Sequence, residues 1–173
     1  MKQASRSLSR IEYIILMSIV VAVDAFAIDA ILPALAFMSD HFGLKNDNDR
    51  QLIVTSIFVG YAIGVMIFGV ASDSFGRKRP IYVGFVLFLI GTVVTITAND
   101  FTVLLIGRVL QGMGAAGPQI IPTAITRDIY KGRGMAEIMS LIMMVFLIVP
   151  AIAPLLGQLV LTVWNWQGIF VVL

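Results

Sequence analysis

The chain has 173 residues, of which 59% are hydrophobic and only 13% charged. A soluble domain carries about a quarter charged residues, so a water-soluble fold of this composition would have to bury nearly everything it has. The net charge of +2 is small, no nucleic-acid partner is expected, and the absence of cysteine removes disulfide, Cys-metal and thiol-nucleophile chemistry.

Taken in chain order, five stretches reach the roughly 20 apolar residues that a membrane helix needs. They are residues 11–37, 52–71, 81–98, 101–125 and 138–163, and a sixth begins near Trp166. Period-2 alternation is weak throughout, which argues against a β-barrel. The expected fold class is therefore an all-α polytopic membrane bundle. His41 lies among polar residues with no second ligand spaced for a metal, and reads as a solvated loop histidine.

The connections alternate in charge. Lys2, Arg6 and Arg10 precede the first span; Arg77, Lys78 and Arg79 fill the second connection; Arg127, Lys131 and Arg133 fill the fourth. Against these nine stand only Lys45 and Arg50, in the first connection. The positive-inside rule then puts the N-terminus in the cytoplasm. Trp164 and Trp166 fall at the opposite interface, where aromatic rings are favoured. A cleaved signal peptide is the other reading of the first span, with Ala25-Phe26-Ala27 as a small-residue cut site. The apolar run continues past that point, and retention is the simpler expectation.

Asp24 and Asp29 lie inside the first span and Arg108 inside the fourth. An ionisable residue at a helix centre costs about 2.5–3.5 kcal/mol to insert, and such residues usually face a bundle interior or an aqueous path. The two aspartates are five apart, about 140° around a helix, so they do not point at one partner. Either could carry a proton. The structural alternative is that Arg108 neutralises an aspartate, with Asp24 placed close to the outer half and partly wet. Gln111 shares a face with Arg108 and would extend a polar lining.

Small residues and prolines mark close contacts. Gly60 and Gly64 form a small-xxx-small pair, which lets helix backbones approach. Gly112, Gly114, Ala115, Ala116 and Gly117 precede Pro118 and Pro122 in the fourth span. Pro150, Ala153, Pro154 and Gly157 share one face of the fifth. That face has no bulky side chain and lacks donors at its prolines, which predicts a tight, bendable helix contact.

With these residues in view, the chain resembles the major facilitator superfamily. Gly69-Val70-Ala71-Ser72-Asp73-Ser74-Phe75-Gly76-Arg77-Lys78 looks like the signature loop between its second and third helices. Gly69, Asp73, Gly76, Arg77 and Lys78 match that pattern, and Ser74 departs from its usual basic residue. Gly76 allows a tight turn, Asp73 is expected near a helix N-terminus, and Arg77 is expected to bridge to Asp128. Arg108-Val109-Leu110-Gln111-Gly112-Met113-Gly114-Ala115 is similar to the fourth-helix motif, whose arginine is linked to proton coupling. The segment from Pro150 to Gly157 is similar to the fifth-helix antiporter motif: it keeps Pro154 and Gly157, and has Val149, Ala153 and Gln158 where that motif commonly has glycine. This proline-rich variant, with Asp29-Ala30-Ile31-Leu32-Pro33 in helix one, resembles the Bcr/CflA branch of drug:proton antiporters.

The resemblance implies the N-terminal part of a twelve-helix fold built from two six-helix halves. It implies efflux of small organic, hydrophobic or cationic, compounds across the inner membrane, coupled to protons by alternating access, with no cofactor beyond the proton gradient. Five complete helices and the start of a sixth would be present, and the C-terminal half needed for transport absent. A carrier of sugars, amino acids or metabolites, or a truncated non-functional remnant, are the alternatives. No nucleophile–base set or metal cluster favours a membrane enzyme.

Overall fold

The computed structural model describes residues 9–173, the Asp47 side chain excepted; the basic residues Lys2 and Arg6 lie outside that range. The described elements are all helical: α1 Arg10–Asp29, a 3-10 turn Leu32–Ala34, α2 Leu35–His41, α3 Asp47–Ser74, α4 Lys78–Ile96, α5 Phe101–Ile129, α6 Gly132–Val163 and α7 Trp166–Val172. The five expected spans are all there, and α7 starts at the expected tryptophan.

Local chemistry sets the boundaries. Ser9 opens α1 with a reciprocal box: the Glu12 amide donates to Ser9 Oγ (3.3 Å), and the Ser9 amide donates to Glu12 Oε2 (2.8 Å). Asp100 caps α5, accepting from the amides of Thr102 and Val103 at 2.8 and 3.1 Å. At the end of α3 the chain turns through Gly76, whose φ of 81° is a left-handed conformation that a side chain would strain.

The first span is interrupted within its length. Pro33 has no amide proton, so the Asp29 carbonyl loses its i+4 donor and α1 ends there. The Ala34 amide bonds to the Ile31 carbonyl instead, at 2.8 Å, tightening the chain into the 3-10 turn before α2 resumes.

By length and composition, four segments are apolar enough to cross a membrane: Arg10–His41, Asn48–Ser74, Lys78–Ile96 and Gly132–Val163. α5 is long enough but does not reach that apolarity, since it carries Arg108, Gln111, Gln119 and four glycines. Its position explains the tolerance. α5 packs against α1, α3 and α4, and thirteen of its 29 residues are buried, against four of 32 in α6. The central helix is solvated by protein, so it need not be dressed for lipid. The apolar side chains of the outer helices, such as Met66, Val70, Leu147 and Val163, face outward.

Glycines hold α5 in the middle. A Cβ on Gly60 or Gly64 of α3 would run into the α5 backbone at Val109 or Met113, and one on Gly112 would strike the Ile57 carbonyl of α3. On the other side, Gly84 and Gly91 of α4 meet Gly114 and Gln111 in the same way. The expected small-residue pair is one side of a two-sided seam.

Trp166 is turned inward against other rings. It is 4% exposed and packs its ring against Phe42 (5.9 Å), Phe170 (6.0 Å) and His41 (5.6 Å). Trp164 is 60% exposed, as an interfacial ring would be. His41 is likewise not in a loop; it ends α2 and joins this aromatic cluster. The folded chain draws these rings together because α7 turns back between α4 and α6.

Candidate functional site: a buried polar network and its seams

Arg108 is fully buried on α5. Its Nη1 donates to Gln111 Oε1 at 2.7 Å, and its Nε donates to the Ile53 carbonyl of α3 at 3.4 Å. Gln111 Nε2 donates in turn to Thr92 Oγ1 at 2.8 Å, and Thr92 donates to the Phe88 carbonyl at 2.9 Å. The Phe170 ring centre lies 5.5 Å from the guanidinium carbon, within cation–π range. Nη2 has no partner. The pairing of Arg108 with Gln111 follows the expected shared face. The alternative of an Arg108–aspartate ion pair is not formed among the described residues.

The aspartates differ in the opposite sense to the expectation. Asp24, expected to be partly wet, is 6% exposed, and its Oδ1 is buried without a hydrogen-bond partner. Asp29 is only partly buried and ends α1 at the helix break. The reason is packing: Asp24 falls where α1 faces its neighbours, while Asp29 sits where the helix unwinds. Asp24 is within electrostatic range of both Asp29 and Tyr61.

Tyr61 and Gln119 were not singled out by sequence. The Tyr61 hydroxyl of α3 donates to Gln119 Oε1 of α5, tying the two helices near Asp24. The signal available was an amide in a membrane span, eight residues after Gln111 and so about 80° around the helix. Polar uncharged residues in such spans carry the same meaning as charges, at lower cost.

At the basic end, Arg77 gathers three acceptors from two helices, α3 and α5. Its Nε donates to Asp128 Oδ2 of α5 at 2.9 Å. Its Nη1 donates to Asp73 Oδ1 at 2.7 Å and to Ser72 Oγ at 2.8 Å, and Ser72 donates to the Gly69 carbonyl. The expected Arg77–Asp128 bridge is formed. Asp73 is not at a helix N-terminus within this chain: it lies in the last turn of α3, where the helix dipole disfavours an anion and the i+4 arginine offsets it. Asp128, then Asp73, raise the Arg77 pKa above the ordinary guanidinium value. The carboxylates are 50% and 72% exposed, so the cluster contributes at most about 1 kcal/mol after solvent screening. Gly69 has open space where a Cβ would go, and Lys78 is exposed at the start of α4.

The proline face of α6 meets the break in α1. Pro150 and Pro154 lie inside α6, which stays helical through both, although the Phe146 and Pro150 carbonyls lose their i+4 donors. Ala153 and Gly157 are its buried residues here. A Cβ on Gly157 would collide with the Ala30 carbonyl, the group released by the 3-10 turn. Near the basic end, α6 is tied to α1 by Arg10 and Glu137 at 2.7 Å. Among the described residues no cluster of His, Cys, Asp and Glu could hold a metal.

Residues 17–173 match the family model of the Major Facilitator Superfamily. The chain is 29% identical over 163 residues to "Multidrug resistance protein D" of Escherichia coli (strain K12), covering 94% of this chain and 41% of that protein. It is 28% identical over 164 residues to a "Bicyclomycin resistance protein homolog" of Haemophilus influenzae, covering 93% and 40%. It is 35% identical over 127 residues to "Multidrug resistance protein MdtL" of Citrobacter koseri, covering 72% and 33%. The chain thus spans about two fifths or less of the length of these relatives. With its apolar helices, glycine-zipped α5 and Arg77 cluster, this multi-pass membrane protein belongs to the major facilitator superfamily of transporters.

Proposed function

We propose that the chain forms the N-terminal half of a proton-coupled exporter of small organic, hydrophobic or cationic, compounds. The observation that carries this reading is a fully buried Arg108 whose Nη2 has no partner, in a bundle that also buries an Asp24 carboxylate with its Oδ1 unpartnered. Isolated charges in a low-dielectric interior are costly, and a static scaffold has no use for them. A protein that alternates between protonated and substrate-bound states does. The relatives whose names describe drug resistance support the same substrate class.

In this mechanism Asp29 is the proton carrier, because its partial exposure gives it the contact with water that exchange requires. On the outer side the carboxylate takes up one proton as substrate leaves. On the inner side the carboxylic acid releases that proton to the cytoplasm as new substrate binds. The Arg108–Gln111–Thr92 chain holds the polar lining in place. The Arg77 cluster latches the inner face, and the α1–α6 seam at Ala30 and Gly157 is where the helices slide. The proton gradient is the only energy source, with no bound cofactor. The nine-to-two bias of basic residues supports an N-terminus on the cytoplasmic side of the inner membrane.

Replacing Asp29 with Asn in the complete protein is expected to abolish efflux driven by a pH gradient in inverted vesicles. Unchanged pH dependence would rule Asp29 out as the carrier. Residues 1–173 alone are expected to move no substrate, since the proposed cavity lies between two six-helix halves.

A further inference from the structure

The connection between α3 and α4 sets three cations in a row, and the fold places each differently. Arg77 is held by Asp128, Asp73 and Ser72. Lys78 borders a crevice between α1 and α4. Arg79 is exposed and makes no hydrogen bond or ion pair among the described residues. It stands at the basic end of a separate groove of about 430 Å³ between α3 and α4. Ile67, Ala71 and Phe75 form one wall, Val83 and Leu87 the other, and Met113 of α5 completes the lining. Among the lining residues Arg79 alone has a polar side chain.

We infer that this groove holds an acyl chain of an anionic phospholipid, with Arg79 on its phosphate. Length decides for a lipid chain over a helix. From Phe75 back to Ile67, and from Arg79 on to Leu87, each wall rises about 12 Å. That lies within one leaflet's share, about 15 Å, of the hydrocarbon core, and is too short for a helix that spans about 30 Å. Charge decides the headgroup. A guanidinium meets phosphate oxygens through paired N–H donors. α4 begins beside it with no side-chain cap, so its first amides keep the partial positive charge that favours an anion. The exposed Lys78 adds a second cation, which favours an anionic headgroup over a zwitterionic one. Gly69 and Asp73 lie two residues beyond Ile67 and Ala71, about 200° around the helix, so the groove opens on a different face of α3 from Asp73. The proposed orientation puts the site in the cytoplasmic leaflet, where anionic lipids attract basic segments; the site itself does not depend on the efflux reading.

The complete protein in detergent is titrated with dioleoylphosphatidylglycerol or dioleoylphosphatidylethanolamine and read by native mass spectrometry. Phosphatidylglycerol is expected to bind more tightly. Arg79→Gln is expected to weaken it about fivefold, which corresponds to about 1 kcal/mol for one basic group, and to narrow the difference between the two lipids. Arg79→Lys is expected to keep most of the binding. Arg127→Gln removes an exposed cation at the same end of the bundle but outside the groove, and is expected to change neither lipid. Val83→Trp fills the groove from its exposed wall and is expected to weaken both. Equal effects of Arg79→Gln and Arg127→Gln, no effect of Val83→Trp, or equal affinity for the two lipids overturns the inference. So does equal competition by glycerophosphoglycerol, the headgroup without its chains, which would make this a site for free anions. Loss or retention of drug export in these variants bears on the efflux reading alone.

Discussion

Adding one methyl group at Gly84 tests the account of how α5 is held. An alanine Cβ there would sit 2.7 Å from the Gly114 carbonyl and 2.8 Å from Pro118 Cδ, whereas ordinary contact begins near 3.4 Å. The Gly114 carbonyl lacks an i+4 donor because residue 118 is proline, so it is free to take a weak Cα–H contact from Gly84. To relieve the clash, α4 and α5 must part by about 0.7 Å, a gap that forfeits a quarter to a half of each local dispersion contact. Overpacking of this kind costs about 1–3 kcal/mol, and the lost Cα–H contact adds about 0.5–1 kcal/mol. The better helix propensity of alanine returns about 1 kcal/mol. A net loss of about 0.5–3 kcal/mol remains, which lowers Tm by roughly 1–12 °C for a chain of this length. The assay is thermal unfolding in detergent, followed by size-exclusion recovery. Gly69→Ala is the control, since a Cβ there meets nothing within 4 Å; it is expected to be neutral or slightly stabilising. Equal Tm values for the two variants would refute the two-sided glycine seam.

Three further outcomes are expected. Gln111→Leu strands an Arg108 Nη1 donor and should cost about 1–3 kcal/mol, while pairing it with Arg108→Met should restore most of that loss; additive losses in thermal unfolding would contradict the network. Asp24→Asn removes a buried carboxylate with an unpartnered oxygen and should stabilise the bundle by about 1 kcal/mol or more while impairing efflux by the complete protein; a lower Tm would count against the Asp24 environment. A double-mutant cycle on Arg77→Ala and Asp128→Asn should give a coupling below about 1 kcal/mol that fades in 1 M salt. The Arg77 pKa is raised, so its contribution is present below the ordinary guanidinium value and is lost only as pH rises through the folded value; Tm should owe no pH dependence between 6 and 9 to this arginine, as Arg77→Lys should leave that profile unchanged.

The spans themselves were legible because lipid exposure demands long apolar runs, and the outer helices carry them openly. The close contacts were legible too, since a glycine pair at Gly60 and Gly64 has few other uses in a membrane helix. The Arg77–Asp128 bridge could be anticipated because two connections on the same side of a bundle lie near each other. The break after Asp29 was written in Pro33, but a proline in a membrane helix can kink, break or be absorbed, as Pro150 and Pro154 are in α6. Which of these happens depends on what covers the freed carbonyls. The burial of Asp24, the clustering of Trp166 and the Tyr61–Gln119 tie depended on which helix faces came together.

Composition by itself determined that this chain is a helical protein crossing a membrane repeatedly. Those properties follow from the free energy of transferring each segment to lipid, which is a sum over local residues. Tertiary structure alone decided that Arg108 is met by Gln111, the Ile53 carbonyl and the Phe170 ring, and by no aspartate. It also decided that the least apolar helix is the central one. Those choices depend on helix rotation and contact geometry between residues far apart in the chain, which no local sum contains.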